Sequence, residues 1–128
     1  MNQDELKKII DKYVQCYNSF DIDGMLSLMH RDVYFQNISE GQVTMSTQGI
    51  SELRNIAEQS KSILKTRCQT ITSYDIKPPS EASIELEYQG EFAFDIPNGP
   101  QAGDKIYLKG KSEFVFKNGL IIQLKDIS

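Results

Sequence analysis

The polar residues of this chain that could do chemistry are few, and the most informative stand among apolar neighbours. In DVYFQNISEG, residues 32 to 41, a strand over 33–37 would place Val33, Phe35 and Asn37 on one face, because successive strand side chains alternate. An amide in line with a Val and a Phe is either a strand-end residue bonding its own backbone or a polar group lining a pocket. It can donate and accept hydrogen bonds, but it has no proton-accepting state near neutrality. Left unpaired in a buried site it would cost about 1–3 kcal/mol. Tyr13 falls on the apolar stripe of a predicted helix, where it either packs in the core or aims its hydroxyl at a ligand. Ser112 shares a predicted strand face with Ile106, Leu108, Phe114 and Phe116, where a small polar group either relieves packing or lines a pocket. His30 is the only histidine, and its place at a predicted helix end favours a structural role. Cys16 and Cys68 are too few and too far apart for a zinc motif or a disulfide framework, and two buried thiols are expected. There is no P-loop, GxGxxG, GxSxG or HExxH, so neither a nucleotide cofactor nor a metal is expected.

The elements that must position these groups follow from periodicity. Leu6, Ile9, Ile10, Tyr13, Val14, Tyr17 and Phe20 recur at the spacing of an amphipathic helix, with Asn2 or Asp4 as its cap. FDIDGMLSLMH reads as a short second helix capped by Asp21 or Asp23 and closed by His30 and Arg31, whose charge suits a helix C-terminus. STQGISELRNIAEQSKSILK reads as a third, started by Ser46 or Thr47, with Ile50, Leu53, Ala57, Ile63 and Leu64 on its stripe. The period then changes from 3.6 to 2. RCQTITSYDIK alternates weakly. SIELEYQGEFAFD alternates strongly, with Ile84, Leu86, Tyr88, Phe92 and Phe94 on one side and Glu85, Glu87, Gln89 and Glu91 on the solvated other. KIYLKGKSEFVFK is another long strand. Gly90 and Gly110 interrupt the two long strands and predict bulges or bends. Asn118-Gly119 is a two-residue hairpin signal, and LIIQLKDI is the last strand.

The register of that last hairpin decides which charge faces inward. An unbroken ladder from a two-residue turn sets Gln123 opposite Phe114 and Lys125 opposite Ser112. A bulge would reverse the faces and point Asp126 inward instead.

Composition bounds the class. The 128 residues fit one domain, 1–128, with a real core. The net charge of −4, with no Lys/Arg cluster, argues against a nucleic-acid partner. No stretch approaches the ~20 apolar residues of a membrane span, and MNQDELKK has no apolar leader core, so a soluble, cytoplasmic protein without a membrane partner is expected. Helices followed by an antiparallel meander with glycine-interrupted strands predict an α+β fold with a strongly curved sheet, able to leave a pocket inside.

In order and spacing, two stretches resemble the nuclear transport factor 2-like (NTF2-like) superfamily, which includes SnoaL-like polyketide cyclases and ketosteroid isomerases. KYVQCYNSFDIDGMLSLMHRDVYFQNISEG is similar to the family's opening, with Tyr-Val on the first helix, an Asn-x-x-Asp-x-Asp-Gly junction, then helix, Asp, strand and Gly. GKSEFVFKNGLIIQLKDIS is similar to its last hairpin. The resemblance implies a cone-shaped fold, three helices on a curved, mainly antiparallel sheet. It also implies a homodimer through the sheet, with which Tyr107, Val115 and Ile121 as outer-face residues are consistent. In ketosteroid isomerases a tyrosine of the first helix and two carboxylates do the chemistry. The tyrosine position matches Tyr13, the general-base position falls on Asn37, and the second acid falls on or beside Ser112. One group of three is kept, so steroid-type isomerisation is disfavoured. SnoaL-like cyclases carry an acid/base aspartate in a similar final strand, where Asp126 could match.

Three functions are therefore expected to compete. One is binding of a small, largely apolar molecule with one or two polar groups, lined by Tyr13, Asn37, Ser112, Phe92 and Phe114. The second is acid/base chemistry on a hydroxy or keto compound, with Asp126 as candidate catalyst. The third is a dimeric protein-interaction module with a filled cone.

Overall fold

A computed structural model describes residues 1–128. The chain runs α1 (Gln3–Asn18), α2 (Ile22–Ser27), β1 (Met29–Ser39), β2 (Gln42–Gln48), α3 (Ile50–Ile63), β3 (Leu64–Lys77), β4 (Glu81–Phe92), β5 (Lys105–Lys117) and β6 (Leu120–Ile127). All six strands form one unclosed sheet in the order β2-β1-β6-β5-β4-β3. Every pairing is antiparallel except that of β1 with β6. The result is the expected α+β cone.

Local chemistry explains the boundaries. Asn2 caps α1 in a reciprocal box: its side chain accepts from Glu5 N–H at 2.8 Å, and the Glu5 carboxylate accepts from Asn2 N–H at 3.1 Å. Asp21 caps α2 by accepting from Gly24 N–H at 2.8 Å. The Asn118-Gly119 turn forms as expected, with both residues at positive φ. α1 is held against the concave face of the sheet by Leu6, Ile10 and Val14, which join Val33, Ile84, Phe114, Ile121 and Leu124 in one buried cluster. Full burial of side chains of this size contributes roughly 1.5–3 kcal/mol each.

Several boundaries differ from the expectation. Residues 42–48 form β2, so Ser46 and Thr47 are strand residues and α3 starts after Gly49, at φ 87°. Glu40 and Gly41, both at positive φ, close the β1–β2 hairpin, a turn that the Gly beside a solvated tip could have signalled. Leu64 opens β3 rather than ending α3, and β3 runs 14 residues despite its weak alternation. α2 stops at Ser27, which leaves His30 and Arg31 in β1. Gly90 and Gly110 sit in unshifted ladder with no bulge. Their missing Cβ instead permits close approach: at Gly110 it would lie 3.0 Å from the Ile127 carbonyl oxygen. Ile121, expected on the outer face, is fully buried. Cys16 is buried and Cys68 is exposed, not both buried. Burial pushes the Cys16 thiol up, as for an inert core thiol. No helix is long and apolar enough to cross a membrane.

Candidate functional site

The Asn118-Gly119 turn starts the last ladder with Lys117 opposite Leu120 and Phe116 opposite Ile121. The next pair is Val115 with Gln123, so Ile122 is an extra residue on β6. That single bulge reverses the faces beyond it. Leu124 and Asp126 turn into the cone, opposite Phe114 and Ser112, and Lys125 turns out beside Glu113. Of the two registers the sequence allowed, the one with an inward acid is adopted.

Asp126 is half-buried, and its carboxylate Oδ1 accepts a 2.8 Å bond from the Ser112 hydroxyl. Burial pushes the carboxyl up from 3.8 to about 6, against the lowering effect of the Ser112 bond. Asn37 is the neighbour of Asp126 in the parallel β1–β6 ladder. Its amide donates to the Thr44 hydroxyl at 2.8 Å. Thr44 is itself the extra residue of a second bulge, between the pairs Asn37–Met45 and Ile38–Val43. A bulge on each side thus orients one of the two polar groups. Asn37 is held by a neighbouring strand rather than by its own backbone.

Asn37 and Asp126 lie where two lobes of the cone's interior meet. The larger of the two, about 390 Å³, is mostly apolar, with Tyr13, Met25, Met29, Phe35, Leu53 and Leu124 among its walls. The second, about 320 Å³, runs along Leu86, Tyr88, Leu108, Gly110 and Ser112. Tyr17, Asn37 and Asp126 line both.

Tyr13 is buried, and its ring meets Phe114 edge-on at 5.9 Å. Its hydroxyl has no hydrogen bond within the protein yet is not sealed in, since the Thr47 hydroxyl is the one fully buried side-chain polar atom without a partner. The Tyr13 phenol therefore opens on the cavity as a donor. Burial pushes it well above its ordinary value, with the Asp126 charge adding to the effect and Arg67 opposing it. The neighbouring Tyr17 is also raised by burial, and its hydroxyl lies 3.3 Å from that of Tyr88. Both phenols stay protonated, so neither is a base.

The predicted residues divide accordingly. Tyr13 and Asn37 line the larger lobe, Asn37 and Ser112 the second, and Asp126 joins them. Phe114 is 1 % exposed and stands behind Tyr13 rather than at either lobe. Phe92, half-buried at the end of β4, lines neither. His30 is also outside, accepting at Nδ1 from Asp32 N–H.

Arg67 was missed. It stands on β3, is 5 % exposed and lines the larger lobe. Weak alternation in RCQTITSYDIK hid that this strand has an inner face at all. The junction after α1 fixes its place: Asn18 donates to the Gln69 carbonyl at 3.0 Å and accepts from Gln69 N–H at 2.7 Å, which ties the end of α1 to β3. The arrangement as a whole offers one carboxyl with a pKa near neutrality, amide and phenol donors around it, and an apolar enclosure. It can bind a small organic molecule and exchange a proton with it.

No protein-family model and no curated protein matches this sequence. Solved structures do match in three dimensions. A candidate polyketide cyclase from Xanthomonas campestris pv. campestris superposes over 100 % of this chain and 93 % of its own, with a TM-score of 0.82 at 16 % identity. A protein with a ketosteroid isomerase-like fold from Catenulispora acidiphila, in complex with trimethylamine, covers 92 % of this chain and 82 % of its own, with a TM-score of 0.72 at 13 % identity. TerC, co-crystallised with polyporic acid, covers 96 % and 90 %, with a TM-score of 0.75 at 15 % identity. Likeness at these identities establishes architecture: the chain has the NTF2-like fold shared by ketosteroid isomerases and SnoaL-like cyclases.

Proposed function

We propose that this protein binds a small, largely apolar organic molecule inside the cone and that Asp126 exchanges a proton with it, as in cyclase- or isomerase-type acid/base chemistry on a hydroxy or keto compound. The observation that carries the reading is the inward carboxyl of Asp126, bonded to Ser112 and lifted to about 6 where the two lobes meet. A carboxyl of that pKa is divided between acid and base near neutral pH, where proton transfer in either direction is efficient. Asn37 and Tyr13 supply hydrogen bonds to the polar atoms of the guest, and neither can take up a proton itself. The capture of trimethylamine and of polyporic acid by two proteins of this fold supports small-molecule binding. The open interior disfavours the interaction module, which needs a filled cone. A homodimer through the outer sheet face is compatible with this reading.

The test is deuterium exchange at an activated carbon. Benzoylacetone, a small aromatic 1,3-diketone, is mixed with the protein in heavy water and its α-proton signal followed by NMR. The wild type is expected to accelerate exchange over buffer, and Asp126→Asn to lose on the order of 10² to 10⁴ of that acceleration. Binding without exchange reduces the protein to a ligand carrier. The absence of both binding and exchange overturns the proposal.

A further inference from the structure

Arg67 is a buried cation that the fold satisfies on one side only. Its Nε donates to the Tyr17 carbonyl at the end of α1, at 2.9 Å. Its guanidinium lies over the Tyr17 ring at 3.8 Å and over the Phe20 ring at 4.5 Å. These contacts lock the group in place and partly offset its desolvation. They leave the two terminal nitrogens almost unused. Nη2 meets only the Met25 sulfur, at 4.0 Å, and Nη1 has no partner within the protein. Arg67 takes part in none of the seven ion pairs.

A guanidinium out of bulk water normally has a carboxylate beside it, because burying a lone charge is costly. The one acid on the cavity wall, Asp126, is bonded to Ser112 instead. Arg67 and Asp126 therefore stand as separate poles of one cavity, with Tyr13 close enough to feel both charges. An unpaired guanidinium edge, held rigid beside an apolar cavity, has the geometry to donate two parallel N–H bonds to the oxygens of a planar anion. An organic cation would find the aromatic faces of Tyr17 and Phe20 already taken by the protein's own guanidinium.

We infer that the ligand of this cavity is an organic acid, an apolar body carrying a carboxylate that docks on the free edge of Arg67 and leaves the rest of the molecule against Tyr13 and Asp126. This rests on the proposal that the cone binds a small molecule, and it adds the ligand's charge and orientation. Arg67 is then a binding and specificity residue.

A matched trio of probes tests it: 2-naphthoate, the neutral 2-naphthamide and the cationic 2-naphthylmethylamine. All present the same ring system. Each is titrated into the 128-residue protein and followed by the backbone amide signals of Tyr13, Asn37 and Asp126. The naphthoate is expected to bind roughly tenfold or more tighter than the amide, as for one charge-assisted bidentate contact, with the amine weakest. Arg67→Met should erase the preference for the acid while the amide still binds. Arg67→Lys, which keeps the charge without the fork, should retain part of it. The wild-type comparison needs no variant, so it stands even if Arg67→Met fails to fold. Equal affinity for acid and amide, or a preference for the amine, overturns the role of Arg67 and leaves the small-molecule proposal intact. If none of the three perturbs the cavity residues, both fall.

Discussion

Replacing Asp126 by Asn should make the protein more stable at neutral pH, and the size of the effect follows from the site. Burial raises the Asp126 carboxyl from 3.8 to about 6 in the folded protein. At the usual 1.36 kcal/mol for each pKa unit, that difference is worth about 3 kcal/mol. The sign follows from linkage. Between pH 4 and 6 the folded state holds a proton at this site that the unfolded chain has released, so this group's contribution falls as pH rises through that window. Below pH 4 both states are protonated and no penalty applies. Above pH 6 the folded protein carries the full cost of an ionised, desolvated carboxylate. Asn approximates the protonated acid in shape, and its side-chain oxygen can still accept the Ser112 hydroxyl. Denaturant unfolding of wild type and Asp126→Asn, in parallel from pH 3.5 to 8, cancels the titration of the other acids. The two proteins should be nearly equally stable at pH 3.5, and the variant should lead by about 2–3 kcal/mol at pH 8. A difference that does not vary with pH, or a variant less stable at pH 8, would refute the account of a desolvated acid. The variant is also the one expected to lose proton exchange, so stability and activity should move in opposite directions at a single atom pair.

Thr47 is buried with an unpartnered hydroxyl, so Thr47→Val, which keeps the shape and removes that group, should raise stability by about 1 kcal/mol in a thermal or denaturant melt. Asn37→Asp would set a second carboxyl beside Asp126 in the β1–β6 ladder. The pair should titrate in two steps, the upper one above 6, with a loss of roughly 1–3 kcal/mol at pH 8, read by carboxyl NMR and denaturation. Inserting one residue between Leu124 and Lys125, with the β6 bulge kept, should carry Lys125 to the position opposite Ser112 and Asp126 to the outside. In a folded insertion variant the carboxyl titration near 6 should vanish, and its persistence would show that some other contact sets the register.

How much of this was legible beforehand depended on the physics each signal carries. The amphipathic stripe of α1, the strong alternation of β4 and the Asn118-Gly119 turn are local and periodic, and they placed the architecture and Tyr13. The Asn-x-x-Asp-x-Asp-Gly junction was visible as a pattern. Its work appears only in three dimensions, where Asn18 clamps the backbone at Gln69 and Asp21 caps α2. β2 was lost because QVTMSTQ is exposed at all but one position, so it has no buried face to set a period. Arg67 was lost for the opposite reason. A cation in a strand reads as solvated, and nothing local says that two aromatic rings from the end of α1 will cover it. Phe92 and Phe114 were placed on the correct strand face, but alternation fixes only the face. It does not tell a cavity wall from the layer behind it or from the strand's end.

The residue inserted at Ile122 also bears on how such chains change over time. Lys125 and Asp126 are adjacent, and the register beyond the bulge decides which of them meets a guest. Gaining or losing one residue between the bulge and Lys125 would trade an acidic interior for a basic one with no substitution at all. Chemistry in a fold of this kind can thus be rewritten by a change in length, and two proteins with nearly the same last strand need not hold the same catalyst.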